Sequence, residues 1–302
     1  MTRIATIPLQ QAQTAGMARA TEKLNDVLNQ LSSGKKASDL AGLGSDAVRS
    51  LSTRNMLARQ EAQGKAASQI GTTLSLYATN IGAIDESVTS LRTALLTAAG
   101  TGNGTGVQGA ITSAFQQVRN ALNASDGEVS LFAGSQSQGA PFKPVTLADT
   151  VGATTATAFA DDGVRASARV GDGIEMTYGV SARDLGGDLL QAFRTLAEAG
   201  DIGSTPTAAQ VTAMTSAAEQ IQKALAGVRS IDGDNGRKQA QVESLATRAD
   251  ERSTLLKGVI SDAEDADYAQ LSTELDQQQQ VLKASYSVFS QVSKLSLTDY
   301  IR

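Results

Sequence analysis

The chain contains no cysteine, histidine or tryptophan, and only 4% of its residues are aromatic. These absences exclude disulfides, thiolate nucleophiles, Cys/His zinc sites, Ser-His-Asp triads and histidine general bases. Because so few catalytic groups remain, the sequence predicts a protein that is not an enzyme and that needs no cofactor or metal. Alanine and leucine must supply most of the packing, which suits long helices that lie close together.

Charge and hydropathy exclude two kinds of partner. The 302 residues carry a net charge of −5 and form no basic stripe, so we expect no nucleic-acid partner. No segment approaches the roughly 18 consecutive apolar residues of a membrane span, so we expect no membrane insertion. The first 20 residues also lack the apolar run of a secretory signal, so no cleaved signal peptide is expected.

An unbroken heptad repeat occupies residues 65 to 99, where apolar residues alternate at spacings of four and three. The pattern predicts a helix that begins near Ser45, ends at the glycine-rich "GTGNGTG" of residues 100–106, and packs against a partner helix. The repeat consists of Ile70, Leu74, Tyr77, Ile81, Ile84, Val88, Leu91 and Leu95.

A second helix is predicted directly after that loop, and it stops before the "SDG" of residues 125–127. Two helices joined by a short glycine loop favour an antiparallel hairpin. The apolar positions of the second helix are Val107, Ile111, Ala114, Phe115, Val118 and Leu122.

From residue 129 to about 180 the composition changes to Val, Thr, Ala, Gly and Asp. The runs "VRASARV" and "IEMTYGV" flank a "GDG" at residues 171–173, which is typical of a β-hairpin. We therefore expect a small β insert between helical halves of the chain.

Helical periodicity returns at residues 188–199 and continues after Pro206. Two heptad segments, 211–228 and 242–263, keep the same phase across the "DGDNG" of residues 232–236, which favours one long helix. The alternative is two helices broken at Gly233 and Gly236, because two nearby glycines weaken a helix.

Both ends of the chain carry weaker heptad patterns that predict amphipathic helices too poor in apolar area to be stable alone. Each must find a partner, in this molecule or in others. We predict that an assembly seam is formed by Met17, Leu24, Leu31, Val281, Leu282, Val288, Phe289, Val292 and Leu295.

Together these patterns predict a mainly α fold with a small β insert, built as a long antiparallel helical rod with coiled-coil-like seams. The N- and C-terminal helices close the rod, and a β-rich knob lies mid-chain. The predicted domains are an N-terminal assembly helix (1–45), the N-terminal half of the rod (46–140), the β-rich insert (141–187), the C-terminal half of the rod (188–264) and a C-terminal assembly helix (265–302).

Three stretches imitate ligand sites without fitting them. "GTGNGTG" follows a helix and lacks the spacing of a phosphate loop. "DGDNG" begins like a calcium loop but has Gly236 and Arg237 where that loop needs a ligand and its glycine, so a solvated turn is favoured. "SDAEDADY" at 261–268 is interpreted as a solvated acidic face rather than a cation site.

Two stretches resemble the flagellin superfamily of bacterial axial proteins. "LNQLSSGKKASDL" at 28–40 is similar to the signature near the N-terminus of that family, and residues 265–302, which begin "DADYAQLSTELD", are similar to its C-terminal helix. The resemblance covers nearly the whole chain.

Within the superfamily, "LFAGSQSQGAPF" at 131–142 resembles a segment typical of hook–filament junction proteins. "RIAT" at 3–6 and the ending "LSLTDYIR" at 295–302 resemble the same proteins. From the residues themselves, we expect a strand over Val129, Leu131 and Phe132, a sharp turn at Gly134, and an anchor for the insert at Pro141 and Phe142. The predicted junction between rod and insert is thus Leu131, Phe132, Gly134, Pro141 and Phe142.

The resemblance implies a structural subunit that joins the hook of the flagellum to its filament, by pairing its terminal helices with neighbouring subunits. It implies copies of the chain in a ring-like layer, an adjoining hook-associated protein, flagellin and an export chaperone as partners. It also implies an extracellular location reached by type III export without signal cleavage. Two alternatives stay open, a filament flagellin and a carbohydrate-binding or receptor-binding module on a flagellin-like scaffold.

Overall fold

The computed structural model describes residues 3–127, 129–136, 139–171 and 173–298, and the side chains of the terminal helices from residue 11 and up to residue 291. Seven helices and two small hairpins account for the regular structure of these residues. The helices are α1 (Arg3–Ser33), α2 (Asp46–Thr101), α3 (Val107–Leu122), α4 (Thr155–Ala158), α5 (Ala182–Glu198), α6 (Ala208–Glu264) and α7 (Tyr268–Thr298). The strands are β1 (Ser125–Asp126), β2 (Val129–Ser130), β3 (Ser167–Gly171) and β4 (Ile174–Thr177), and short 3₁₀ turns occupy Ala41–Leu43 and Leu147–Thr150.

The mainly α fold with a small β insert is confirmed. The predicted helix starts near Ser45 and at residue 107 agree with the structure to within one residue. Helix α6 runs unbroken through Gly233 and Gly236, so the single long helix is correct and a solvated turn at "DGDNG" is wrong. Both glycines are exposed, so neither leaves a gap in a packed core, and the flanking heptad residues hold the helix in register.

The chain divides into two compact units, and α2 and α6 contribute residues to both. The terminal unit consists of Met1–Gln60 and Glu251–Arg302. The central unit consists of Glu61–Asp250.

The central unit has the larger hydrophobic core. All eight heptad residues of α2 are buried there, as are the six predicted apolar positions of α3. Helix α6 runs antiparallel to α2. Asn235 contacts Leu74, whereas Arg229, which is earlier in α6, contacts Asp85, which is later in α2. Helix α5 adds Leu185, Leu189, Phe193 and Leu196 to the same core.

One antiparallel hairpin lies in the β insert, and a second hairpin precedes the insert. Strands β3 and β4 pair on either side of the predicted "GDG" turn, with a register shift between Arg169 and Gly171. Strands β1 and β2 pair Ser125 with Ser130 and Asp126 with Val129. The predicted strand over Val129 to Phe132 is therefore too long, because Leu131 and Phe132 lie in the turn that follows and bury their side chains in the core instead.

Within the described residues, no helix combines the length and the hydropathy that a membrane crossing requires.

Candidate assembly interface

The terminal unit is organised around one pair of helices. Helices α1 and α7 pack against each other. The end of α1 and the start of α7 lie close together, because the loop that follows Ser33 pairs with the segment before Tyr268. The two helices are therefore antiparallel.

The seam between α1 and α7 follows the heptad spacing of both helices. Ala20, Val27, Leu271 and Leu282 are buried, and the intervening positions are half-buried. On α1 the seam residues are Gln13, Met17, Ala20, Leu24, Val27 and Leu31, and on α7 they are Leu271, Leu275, Gln278, Leu282, Ser285 and Phe289. The alternating spacing of four and three keeps these side chains on one stripe of each helix.

The predicted assembly seam is split by this arrangement. Met17, Leu24, Leu31, Leu282 and Phe289 face the partner helix within the chain. Val281 and Val288 stay 43% and 48% exposed, on a flank beside the seam. The side chains of Val292 and Leu295 lie outside the described residues.

Exposed apolar side chains are concentrated in the terminal unit. Among the described residues, ten of the sixteen large hydrophobic residues that remain exposed belong to it. They are Leu28, Leu40, Val48, Leu51, Met56, Leu255, Tyr268, Val281, Tyr286 and Val288. A small unit that leaves so much apolar surface in water has the character of an interface.

A short antiparallel bridge joins the loop after α1 to the connection between α6 and α7. Lys35 pairs with Asp265 in this bridge, the Lys36 amide donates to the Glu264 carbonyl at 2.7 Å, and the Ala266 amide donates to the Gly34 carbonyl at 3.0 Å. The Lys36 Nζ also donates to the Asp262 carbonyl at 2.5 Å, which satisfies a free acceptor at the end of α6. The bridge fixes where α1 ends and where α7 begins.

Gly34 allows the turn that ends α1. Its φ is +68°, and its amide donates to the Gln30 carbonyl at 2.8 Å, as in a left-handed helix cap. A Cβ at this position would lie 2.8 Å from the Tyr268 Oη. The glycine is therefore required both by the backbone angle and by the start of α7.

Glu264 is the buried centre of the polar contacts in this unit. Its Oε1 accepts from Arg54 Nε at 2.7 Å and from Ser50 Oγ at 2.5 Å, and its Oε2 accepts from Arg54 Nη2 at 2.6 Å. Lys35 Nζ lies 3.6 Å from the same carboxylate. The hydrogen bonds from Arg54 and then Ser50 lower the pKa of Glu264 to about 2.

The neighbouring acidic residues are also engaged. Lys35 Nζ donates to Asp265 Oδ1 at 2.5 Å, and this contact lowers the pKa of Asp265 and raises that of Lys35. Asp267 Oδ1 accepts from the amides of Ala269 and Gln270 and so caps the start of α7. The interpretation of residues 261–268 as a solvated acidic face is wrong for Glu264 and Asp265, because Lys35 and Arg54 contact them from distant parts of the sequence.

The predicted junction between rod and insert lies in the central unit, and four of its five residues are buried: Leu131, Phe132, Pro141 and Phe142. Phe132 packs on Tyr77 with ring centroids 5.2 Å apart, and Phe142 packs on Phe159 at 5.1 Å. Gly134 has a φ of +75°, and a Cβ there would meet the Asp162 carboxylate at 2.1 Å. That carboxylate accepts from the amides of Ser135 and Val164.

Helix α3 holds the segment after Pro141 through polar side chains that the sequence pattern did not single out. The Phe142 amide donates to Asn123 Oδ1 at 2.8 Å, and Asn123 Nδ2 donates back to the Phe142 carbonyl at 3.0 Å. Further along the same segment, Arg119 Nε donates to the Pro144 carbonyl and Gln116 Nε2 to the Val145 carbonyl. Gln116, Arg119 and Asn123 are spaced by three and four residues, and this spacing is the sequence signal that could have indicated one polar face.

A family model identifies the C-terminal part of the chain. Residues 210–301 match the model described as the bacterial flagellin C-terminal helical region. This part of the chain is flagellin-like. The match contains nearly all of α6 and α7, including Glu264, Asp265 and the outward Val281 and Val288, and it confirms the predicted resemblance to the flagellin superfamily.

Two solved structures share the fold of this chain over most of its length. One is described as a flagellar hook-associated protein from Vibrio parahaemolyticus, with a TM-score of 0.59, 18% identity, and coverage of 72% of this chain and 97% of that one. The other is FlgL from Bacillus cereus, with a TM-score of 0.59, 16% identity, and coverage of 70% and 99%. No curated protein matches the chain by sequence.

Proposed function

We propose that this chain is an extracellular structural subunit of the bacterial flagellum that joins the hook to the filament. In this proposal its terminal unit makes the contacts with neighbouring subunits, including other copies of the chain in one layer. The observation that carries the proposal is the exposed apolar surface of the terminal unit, in a chain whose C-terminal third is flagellin-like.

The energetic argument concerns the seam between α1 and α7. Four of its twelve described positions, Gln13, Ala20, Gln278 and Ser285, are polar or small, so the seam buries little apolar area for two helices of 31 residues each. Adjacent apolar side chains such as Val281 and Val288 stay in water in the single chain. Burying them against neighbouring subunits would add the stability that the pair lacks.

A role at the junction rather than in the filament is supported by "LFAGSQSQGAPF", whose two phenylalanines anchor the insert in the central core. The solved structures of similar fold are a hook-associated protein and FlgL. The alternative is a filament flagellin, and it is favoured by the name of the matching family model. In either role the chain would be exported through the flagellar channel, with an export chaperone as a further partner.

The two roles differ in how much material is added to a hook. The purified chain is added to hook–basal bodies from a strain that lacks this gene, and the length of the added material is measured by electron microscopy. A single short layer that then accepts flagellin supports the junction role. Growth of long filaments from the chain alone supports the flagellin alternative, and no addition at all argues against both.

A further inference from the structure

A small pocket in the central unit lies where the middle of α6 meets the β insert. It leaves about 60 Å³ open to water-sized groups, several times the roughly 10–15 Å³ that one water needs by this measure. The polar or ionisable side chains in its wall are Arg165, Tyr178, Asp184, Asp234, Asn235 and Lys238. The space suits a carboxylate or another small oxyanion and is too small for a drug-sized ligand.

The charges around the pocket are paired except for one. Arg165 Nη2 donates to Asp184 Oδ2 at 3.3 Å, and Arg237 pairs with Asp234. Lys238 is half-buried and has no carboxylate partner among the described residues. Burial, and then the nearby charge of Arg165, lower the pKa of Lys238. Among the described residues, Lys238 is therefore the one charged group in the pocket wall that has no ion-pair partner.

Asn235 adds an unused hydrogen-bond acceptor to the same wall. The residue is 3% exposed, and its Nδ2 donates to the Leu74 carbonyl at 2.9 Å, which fixes the orientation of the amide. Its Oδ1 is buried and has no partner among the described residues. An unpaired buried oxygen costs about 1–3 kcal/mol relative to a paired one, so a donor from an entering group would be favoured there.

We propose that this pocket binds a carboxylate that carries a hydrogen-bond donor beside it. Lys238 and Arg165 contact the carboxylate, and Asn235 accepts from the adjacent donor. A free hydroxy acid has this chemistry, and so does an acidic side chain next to a backbone amide of a neighbouring subunit. Asp184 and Asp234 restrict the pocket to one carboxylate, because a second negative charge would face them.

The test measures how fast Lys238 is acetylated in the full-length chain, read by peptide mass spectrometry at limited reagent. Glycolate is the probe, propanoate is its match without the hydroxyl, and sodium chloride at equal ionic strength is the blank. Acetylation proceeds through the neutral amine, so a bound carboxylate slows it by raising the pKa of Lys238. A rise of up to about one unit corresponds to acetylation that is as much as tenfold slower. Lys223, which is exposed on the same helix, is the internal control.

We expect glycolate to slow Lys238 by roughly three- to tenfold, propanoate to act less, and Lys223 to be unchanged. Arg165→Gln should abolish the effect of glycolate, while Arg169→Gln, four residues later on β3, should keep it. Asn235→Ala should remove the advantage of glycolate over propanoate. Arg165 is largely exposed, so its variant keeps the test decisive even if Asn235→Ala fails to fold.

The assembled polymer distinguishes the two sources of the carboxylate. If Lys238 is protected in the polymer without added acid, the group comes from a neighbouring subunit, and this arm alone depends on the proposed assembly role. Protection by glycolate in the single chain alone identifies a free acid. Absence of protection in both samples, or equal slowing of Lys238 and Lys223, would overturn the proposal.

Discussion

Arg54 and Glu264 lie 210 positions apart in the sequence and are joined by two parallel hydrogen bonds of 2.7 and 2.6 Å. The guanidinium comes from the start of α2 and the carboxylate from the last residue of α6. A carboxylate at a helix C-terminus is unfavourable because it adds to the negative end of the helix dipole. The paired geometry offsets that cost and fixes the point at which α6 gives way to α7.

The first prediction removes the charge of Glu264. Glu264→Gln should lower the free energy of unfolding of the terminal unit by about 1–3 kcal/mol, because a buried charge-assisted network loses its negative charge and one of its two acceptor oxygens. Urea denaturation checks this value. Asp262→Asn, two positions earlier and exposed, is the matched control and should change stability little. Equal stability of both variants would show that the network contributes nothing.

The second prediction concerns pH. Arg54 and Ser50 depress the pKa of Glu264 from 4.5 to about 2 in the folded chain, so the carboxylate contributes stability at all pH values above about 4.5. That stability is lost as the pH falls through about 2, since the folded and unfolded chains then bind the proton equally. The free energy of unfolding should therefore fall less steeply between pH 4.5 and 2 in Glu264→Gln than in the native chain. Identical slopes would contradict the contribution.

The third prediction tests the turn at Gly34. Gly34→Ala should destabilise the terminal unit by about 1–2 kcal/mol from the left-handed backbone alone, and further from contact with Tyr268 Oη. Tyr268→Phe in the same chain should recover the part due to the contact. Gly16→Ala is the control, because a Cβ at this position of α1 meets open space. This variant should stabilise the helix by about 0.5–1 kcal/mol. Thermal unfolding of these three variants and of the native chain separates the effects.

The fourth prediction tests the anchor of the insert. Phe132 is fully buried against Tyr77, so Phe132→Ala should cost about 3–5 kcal/mol through lost burial and the cavity left behind. Val129→Ala, three residues earlier and exposed, should cost far less. Calorimetry provides both values, and a small effect of Phe132→Ala would mean that the core closes around the gap.

Much of the central fold follows from the sequence because long heptad repeats determine which face of a helix is buried. The repeat from Ile70 to Leu95 predicted every buried apolar position of α2 in that span but not the buried Ser87, and retained phase predicted the continuity of α6. The hairpin around "GDG" was equally readable, since glycine and aspartate favour the turn and β-branched residues favour the strands.

The interface was harder to predict, for two physical reasons. On α7, two apolar stripes run side by side, and periodicity alone does not indicate that Leu282 and Phe289 face α1 while Val281 and Val288 face water. Glu264 belongs to an acidic run that looks solvated, and its partners Arg54 and Ser50 come from another part of the chain. Contacts between residues so distant in sequence leave no local pattern.

The most direct test of the assembly role places charge on the outward flank of α7. In Val281→Asp/Val288→Asp, two exposed valines change, so helical content and the stability of the single chain should stay close to native. The control, Gln280→Asp/Ser287→Asp, adds the same charge at the same spacing on an exposed face of α7 away from the valines. The amount of chain that binds to isolated hook ends is measured for both variants and for the native chain.

We expect the valine variant to lose binding to hook ends, because a charge buried in an apolar contact is strongly unfavourable, while the control binds like the native chain. Native binding by the valine variant would contradict the assignment of this flank to assembly.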